Sequence, residues 1–116
     1  MPFVLTTMNV SDLNRSLEFY CGLLGLPVAG RIGAPEDGFA IAFLGEADGT
    51  RLELVQGHGA PMPSEAISVG VVPEDLQAVL EACKDHAEGP IRPNPHTVFW
   101  FVRDPDGYRV QLFEKA

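Results

Sequence analysis

Basic residues, cysteine and long apolar runs are all scarce in this sequence of 116 residues. Only 8 Lys and Arg accompany 16 Asp and Glu, which gives a formal net charge of -8 at pH 7. A protein of that charge repels the phosphates of nucleic acids and anionic lipid, so we expect neither nucleic acid nor a membrane as a partner. No apolar run approaches the roughly 20 residues that span a bilayer, and no basic-then-apolar leader opens the chain. These absences favour a cytoplasmic protein.

Several chemical motifs are also missing. The sequence contains no nucleophilic triad, glycine-rich phosphate loop or paired-cysteine motif. The two cysteines, Cys21 and Cys83, fall on apolar stripes of predicted helices, where a free thiol behaves as a small hydrophobe. The histidines are scattered, and we expect His58 and His86 in solvent. For His96, which directly precedes an apolar run, solvent and the rim of a cleft are both open.

The order of predicted elements occurs twice along the chain. Ser11-Asp12 caps a first helix with a periodic apolar stripe that ends at Gly25. In the second half Pro73 opens a helix, and Gly89-Pro90 ends it after an apolar stripe that reaches Ala87. The strands are predicted at about 3–10, 28–32, 39–44 and 50–56, then at 66–72, near Ile91, and at 97–102 and 108–113.

This repetition predicts an α+β fold in a single domain, 1–116, made of two similar halves at about 1–57 and 65–116. Each half buries its helix against one face of its sheet. The opposite faces must then meet solvent, each other or a ligand, and we expect a cleft between the sheets.

The end of the chain predicts a hairpin. Asp104-Pro105-Asp106-Gly107 has the residue types of a tight turn, and an alternating strand follows it. On that strand Arg109, Gln111 and Phe113 share one face. A face that mixes charge, amide and aromatic groups suits a pocket better than a core.

Two segments carry a family resemblance. The stretch from Val10 to Tyr20, VSDLNRSLEFY, continues into Leu23-Leu24-Gly25-Leu26, and together they resemble the first strand-helix unit of the vicinal-oxygen-chelate superfamily. The segment Phe101 to Tyr108, FVRDPDGY, is similar to the last hairpin of that superfamily, which includes glyoxalase I, bleomycin- and fosfomycin-resistance proteins and extradiol dioxygenases. The resemblance implies paired βαβββ modules that form an incomplete barrel with a cleft. It also implies a homodimer, because relatives commonly pair their modules.

The resemblance further implies where a metal would bind. In metal-dependent relatives each of four strands supplies one ligand, in a pattern similar to His, Glu, His, Glu. The matching positions here are Leu5, Glu53, Ile67 and Gln111. Only Glu53 is a good ligand for a transition metal, and a shift of one residue along the strands does not improve the set. We therefore predict no bound transition metal and no cofactor.

Glu53 is the candidate catalytic residue, either as a general base or as a hydrogen-bond anchor for a ligand. The alternative is a structural carboxylate that pairs with Arg51 or Arg109. The predicted ligand-binding residues are Leu5, Arg51, Glu53, Ile67, Trp100, Arg109, Gln111 and Phe113, with Val69 in the apolar wall. For Trp100 the core and a flat cleft wall are both open.

Three functions remain open. The first is a small-molecule-binding protein without a tightly held metal. The second is a glyoxalase-like lyase or isomerase, or another divergent enzyme of the superfamily, with Glu53 as its base. The third is a structural or regulatory dimer whose cleft its own side chains fill.

Overall fold

The computed structural model describes residues 2–115. Met1 and Ala116, the outer ends of the two predicted halves, lie outside this range. The described residues form two four-stranded mixed sheets, which are open sheets and not a closed barrel. The elements in chain order are β1 (Leu5–Val10), α1 (Leu13–Leu17), β2 (Val28–Ala34), β3 (Phe39–Leu44), β4 (Arg51–Gln56), β5 (Ser68–Val71), α2 (Leu76–Ala82), β6 (Glu88–Asn94), β7 (Thr97–Arg103) and β8 (Arg109–Phe113).

The two sheets have the same topology. The first has the order β1-β4-β3-β2 and the second the order β5-β8-β7-β6. In each sheet the outer pair, β1 with β4 or β5 with β8, is parallel, and the other pairs are antiparallel. Each sheet therefore belongs to one strand-helix-three-strand module, and the predicted repetition of elements is confirmed.

The helices begin at aspartate caps. The Asp12 carboxylate accepts a hydrogen bond from the backbone N–H of Arg15, and Asp75 accepts one from that of Ala78. α1 continues into a π-helical turn at Glu18–Leu23, which periodicity alone does not distinguish from an α-helix. The buried side chains of this segment include Leu13, Tyr20 and Leu24.

The predicted limits of the second helix are wrong. α2 begins at Leu76, so Pro73 precedes the helix and lies outside its first turn. The helix ends at Ala82, and Ala87 packs against the core from beyond it. Gly89 and Pro90 lie within β6, where proline is tolerated because β6 is an edge strand.

One buried hydrogen bond joins the two modules. The Tyr20 hydroxyl, at the end of the first helical segment, donates to Asp104 Oδ2 at 2.7 Å. Asp104 Oδ1 accepts the backbone N–H groups of Asp106 and Tyr108, both at 2.9 Å, and so holds the predicted hairpin turn. The modules thus share one continuous apolar core, with residues from both sheets.

Candidate functional site

The first sheet has one face in the core and one open face. Along β4, Leu52 and Leu54 are buried, whereas Arg51 and Glu53 alternate with them on the other side. Strand register adds Leu5 and Thr7 from β1, Ile41 and Phe43 from β3, and Ile32 from β2 to this open face. Leu5 is 37% exposed and Ile32 53% exposed, so this apolar face is uncovered in the single chain.

The second sheet repeats this arrangement with aromatic residues. Gln111 pairs with Phe101 and Phe113 pairs with Phe99, so these side chains share the open face with Arg109. The Phe99 ring centroid lies 5.6 Å from that of Phe101 and 5.7 Å from that of Phe113. Three phenyl rings therefore form a wall beside Arg109 and the amide of Gln111.

Trp100 lies on the opposite side of this sheet. It pairs with Leu112, which is fully buried, and its side chain packs against the core. The cleft wall that the sequence assigned to Trp100 is instead formed by its neighbours, Phe99 and Phe101. The register of the predicted hairpin is the signal that could have found them, because it places every second residue of β7 opposite Gln111 and Phe113.

The second half supplies a different inherited ligand position from the one predicted. Leu5 is opposite Arg51 and Ser68 is opposite Arg109, so Ser68 is the counterpart of Leu5. Ile67 precedes β5 and is 69% exposed. The four equivalent positions are therefore Leu5, Glu53, Ser68 and Gln111.

These residues do not fit a transition metal. Leucine has no lone pair, and a serine hydroxyl and a neutral amide are weak donors to zinc, nickel or iron. Among residues 2–115, no group of three or more His, Cys, Asp or Glu side chains could hold a metal ion. Only Glu53 offers a strong ligand at this site.

Glu53 has a different partner from the ones that the sequence suggested. Its Oε1 accepts a hydrogen bond from Thr7 Oγ1 at 2.5 Å. Arg51 donates to the Ala47 carbonyl at 2.6 Å, and Arg109 pairs with Glu65. Within the described range no ion pair joins Glu53 to an arginine, so the structural pairing considered for this carboxylate is wrong. Its second carboxylate oxygen can accept from a ligand.

Two cavities lie where the edge strands β1 and β5 meet. One has a volume of about 290 Å³ and contacts Arg109, Tyr108 and Ile67. The other has a volume of about 550 Å³ and contacts Arg51. Leu5, Glu53, Gln111 and Phe113 line neither of these cavities.

The remaining candidates for chemistry lie away from these faces or lack reactivity. His58 and His96 are exposed, and His86 Nδ1 accepts the backbone N–H of Arg103 at 3.3 Å. Both cysteines are free, and burial raises the pKa of each thiol. Burial therefore disfavours the thiolate form that a nucleophile needs. No helix in the described part of the chain is both long and apolar enough to span a membrane.

Comparisons with known proteins agree with this architecture. The model of the glyoxalase/bleomycin resistance protein/dioxygenase superfamily matches residues 3–112. A probable lactoylglutathione lyase of Synechocystis sp. is 33% identical, with 98% of this chain and 96% of that protein covered. A lactoylglutathione lyase of Neisseria meningitidis is 31% identical, with 99% and 91% covered.

Solved structures include the trypanothione-dependent glyoxalase I of Leishmania major. It superposes with a TM-score of 0.72 at 30% identity, covering 98% of this chain and 86% of that one. TnmS3, an antibiotic-binding protein from Streptomyces, superposes with a TM-score of 0.70 at 20% identity, covering 100% of this chain and 98% of that one, and supports the fold alone. The chain therefore belongs to the glyoxalase/bleomycin resistance protein/dioxygenase superfamily.

Proposed function

We propose that this protein binds a small organic molecule on the open faces of its sheets and does so without a tightly held transition metal. The observation that carries the proposal is the set of side chains at the four inherited ligand positions. Three of them, Leu5, Ser68 and Gln111, are poor ligands for a transition metal. The scaffold is retained, whereas the donor set that would hold the metal is not.

The open faces have the composition of a ligand pocket. Such pockets are mostly apolar, with a few polar groups that orient the ligand. Phe99, Phe101 and Phe113 supply the apolar wall, while Glu53 and Gln111 supply polar anchors. Thr7 fixes the orientation of Glu53 through its hydrogen bond.

A second copy of the chain is the partner that encloses these faces. Leu5, Ile32 and Phe39 are 37%, 53% and 44% exposed, and all three lie on the open face of the first sheet. Exposed apolar surface of this kind is typical of an interaction site. A homodimer that sets the open face of one sheet against another would cover it and convert two open faces into a closed cleft.

A ligand screen with a Glu53→Gln variant tests the proposal. We expect compounds that raise the melting temperature of the unmodified protein to bind E53Q more weakly by about 1 to 3 kcal/mol, or about 5- to 150-fold in Kd. The matched control is Glu81→Gln, which alters an exposed carboxylate on α2. A screen without hits, or hits that bind E53Q and the unmodified protein equally, would refute this assignment of the site.

A glyoxalase-like lyase is the second candidate, and the names of the relatives favour it. A lyase of this type needs a base beside a carbon acid and a group that stabilises the enediolate. Here Glu53 would be the base, and Gln111 or an arginine would have to be the stabilising group. Turnover of lactoylglutathione by the unmodified protein and its loss in E53Q would support this activity over simple binding.

A further inference from the structure

Two arginines lie side by side on the open face of the second sheet, and the chain's own Glu65 contacts both. Arg103 and Arg109 are direct partners across β7 and β8. Arg103 Nη2 forms a close ion pair with Glu65 Oε1, and Arg109 Nε lies 3.7 Å from Glu65 Oε2. Because like charges in direct opposition repel, this pair of guanidinium groups favours a carboxylate between them.

The two guanidinium groups are held by contacts that do not involve the Glu65 side chain. Arg109 Nη1 donates to the backbone carbonyl of Glu65 at 2.9 Å. Arg103 Nη1 donates to the Gly107 carbonyl at 3.2 Å. The Arg109 guanidinium carbon lies 3.9 Å from the centroid of the Phe101 ring, which is a cation–π contact. The arginine side chains are 33% and 20% exposed, whereas that of Glu65 is 75% exposed. The arginines are therefore the fixed part of this contact and Glu65 the removable part.

One donor of the arginine pair has no hydrogen-bond partner although Glu65 lies near it. Arg109 Nε is buried and makes no hydrogen bond within residues 2–115. Arginine binds carboxylates best through two parallel N–H···O bonds, and the 3.7 Å separation of this pair is too long for one of them. The carboxylate of a ligand is not tethered to the protein backbone and could approach Arg109 Nε more closely.

The cavity beside Arg109 has room for the rest of such a ligand. Its volume is about 290 Å³, and Met8, Met62 and Ile67 contribute apolar contacts. The segment at residues 57–67 that carries Glu65 lies over it, and the backbone N–H of Met62 is bonded to the Tyr108 hydroxyl at 3.1 Å. Arg109 lines this apolar space, and Arg103 is its partner across β7 and β8.

We propose that Arg103 and Arg109 bind the carboxylate of an organic acid whose apolar part enters this cavity, and that Glu65 is an internal carboxylate which the ligand displaces. This inference rests on the proposed small-molecule binding and adds to it a carboxylate site at Arg109, which shares the open face of the second sheet with Gln111 and Phe113. In the free protein Glu65 offsets one of the two positive charges of the arginine pair. An uncharged ligand of the same shape cannot take the place of the Glu65 carboxylate between the arginines, so this displacement adds nothing to its affinity.

Calorimetric titration with 1-naphthoate and with its uncharged analogue 1-naphthamide tests the proposal. In the unmodified protein we expect naphthoate to bind more tightly than naphthamide. Because each ion pair of an exposed carboxylate contributes little, removal of the competing charge in Glu65→Gln should raise the affinity for naphthoate about three- to tenfold and leave naphthamide unchanged. Arg109→Met should abolish the preference for naphthoate.

The control is Glu81→Gln, since Glu81 is as exposed as Glu65, at 75%, and its one ion pair is with Lys84. E81Q should bind both compounds as the unmodified protein does. If naphthoate and naphthamide bind equally well, and E65Q changes the affinity for neither, the carboxylate site is refuted while binding of a small molecule in the cavity stands. If neither compound binds to any variant, the carboxylate site is likewise refuted, and the ligand screen with E53Q judges the proposed function separately.

Discussion

Replacement of Tyr20 by phenylalanine removes the buried hydroxyl that joins the two modules. Tyr20 is fully buried and Asp104 is 5% exposed, so water cannot replace the lost donor at Asp104 Oδ2. The phenylalanine ring occupies nearly the same volume, so the change leaves little cavity. The variant therefore isolates one hydrogen bond to a buried carboxylate.

The expected loss follows from the charge of the acceptor. Hydrogen bonds to charged groups contribute about 1.5 to 3 kcal/mol to stability, and an unsatisfied buried carboxylate oxygen places Tyr20→Phe in that range. For a domain of this length each kcal/mol lowers the melting temperature by roughly 4 °C, so we expect a decrease of about 6 to 12 °C.

Urea unfolding followed by circular dichroism measures this loss directly, because a small domain is expected to unfold in one transition. Tyr108→Phe is the control. Its hydroxyl donates to the Asn9 carbonyl at 2.7 Å and accepts from the backbone N–H of Met62 at 3.1 Å. Both partners are neutral and neither bond is fully buried, so water can replace the hydroxyl and its loss should cost about 1 kcal/mol. A Tyr20→Phe loss below about 0.5 kcal/mol, or one equal to that of Tyr108→Phe, would refute the reasoning.

Two further predictions concern pH and assembly. Burial raises the pKa of Asp104 above its ordinary value of 3.8, so the folded protein takes up this proton first as pH falls. The stability of the unmodified protein relative to Asp104→Asn should therefore rise as pH falls through the raised pKa and level off below 3.8. Urea unfolding of both proteins at about pH 7 and about pH 4.5 checks the sign. A fall in the free energy of unfolding of the unmodified protein relative to that of the variant on acidification would contradict it. Sedimentation should find a dimer at micromolar concentration, because Leu5, Ile32 and Phe39 are uncovered in one chain, and a monomer would count against the composite cleft.

The order of elements could be predicted because each boundary has its own chemistry. Asp12 marks the start of the first helix, and the turn after Arg103 has aspartate, proline and glycine where a hairpin needs them. The start of α2 was predicted at Pro73 although its cap is Asp75, because proline is also favoured in the first turn of a helix. The end of α2 was missed because Ala87 keeps the apolar spacing although it packs from outside the helix. Periodicity reports which side chains are buried, and burial by a helix and by a loop look alike in sequence.

The candidate site was predicted in part. Glu53 and Gln111 lie on open faces as the alternation of their strands indicated. Ser68 precedes the cap Asp75 by as many residues as Leu5 precedes the cap Asp12. This comparison would have indicated Ser68, and not Ile67, as the inherited ligand position. The role of Glu65 could not be predicted, because its contact with Arg103 depends on the path of a connection without regular structure.

Metal content tests the central claim most directly, namely that this member of the superfamily has kept the scaffold and lost the donor set for a transition metal. The measurement is elemental analysis of protein purified without chelator, combined with thermal unfolding before and after chelator treatment. We predict far less than one equivalent of zinc, nickel or iron per chain and an unchanged melting temperature, because only Glu53 among the four inherited positions is a strong ligand. Near one equivalent of such a metal, with a lower melting temperature after its removal, would contradict the account.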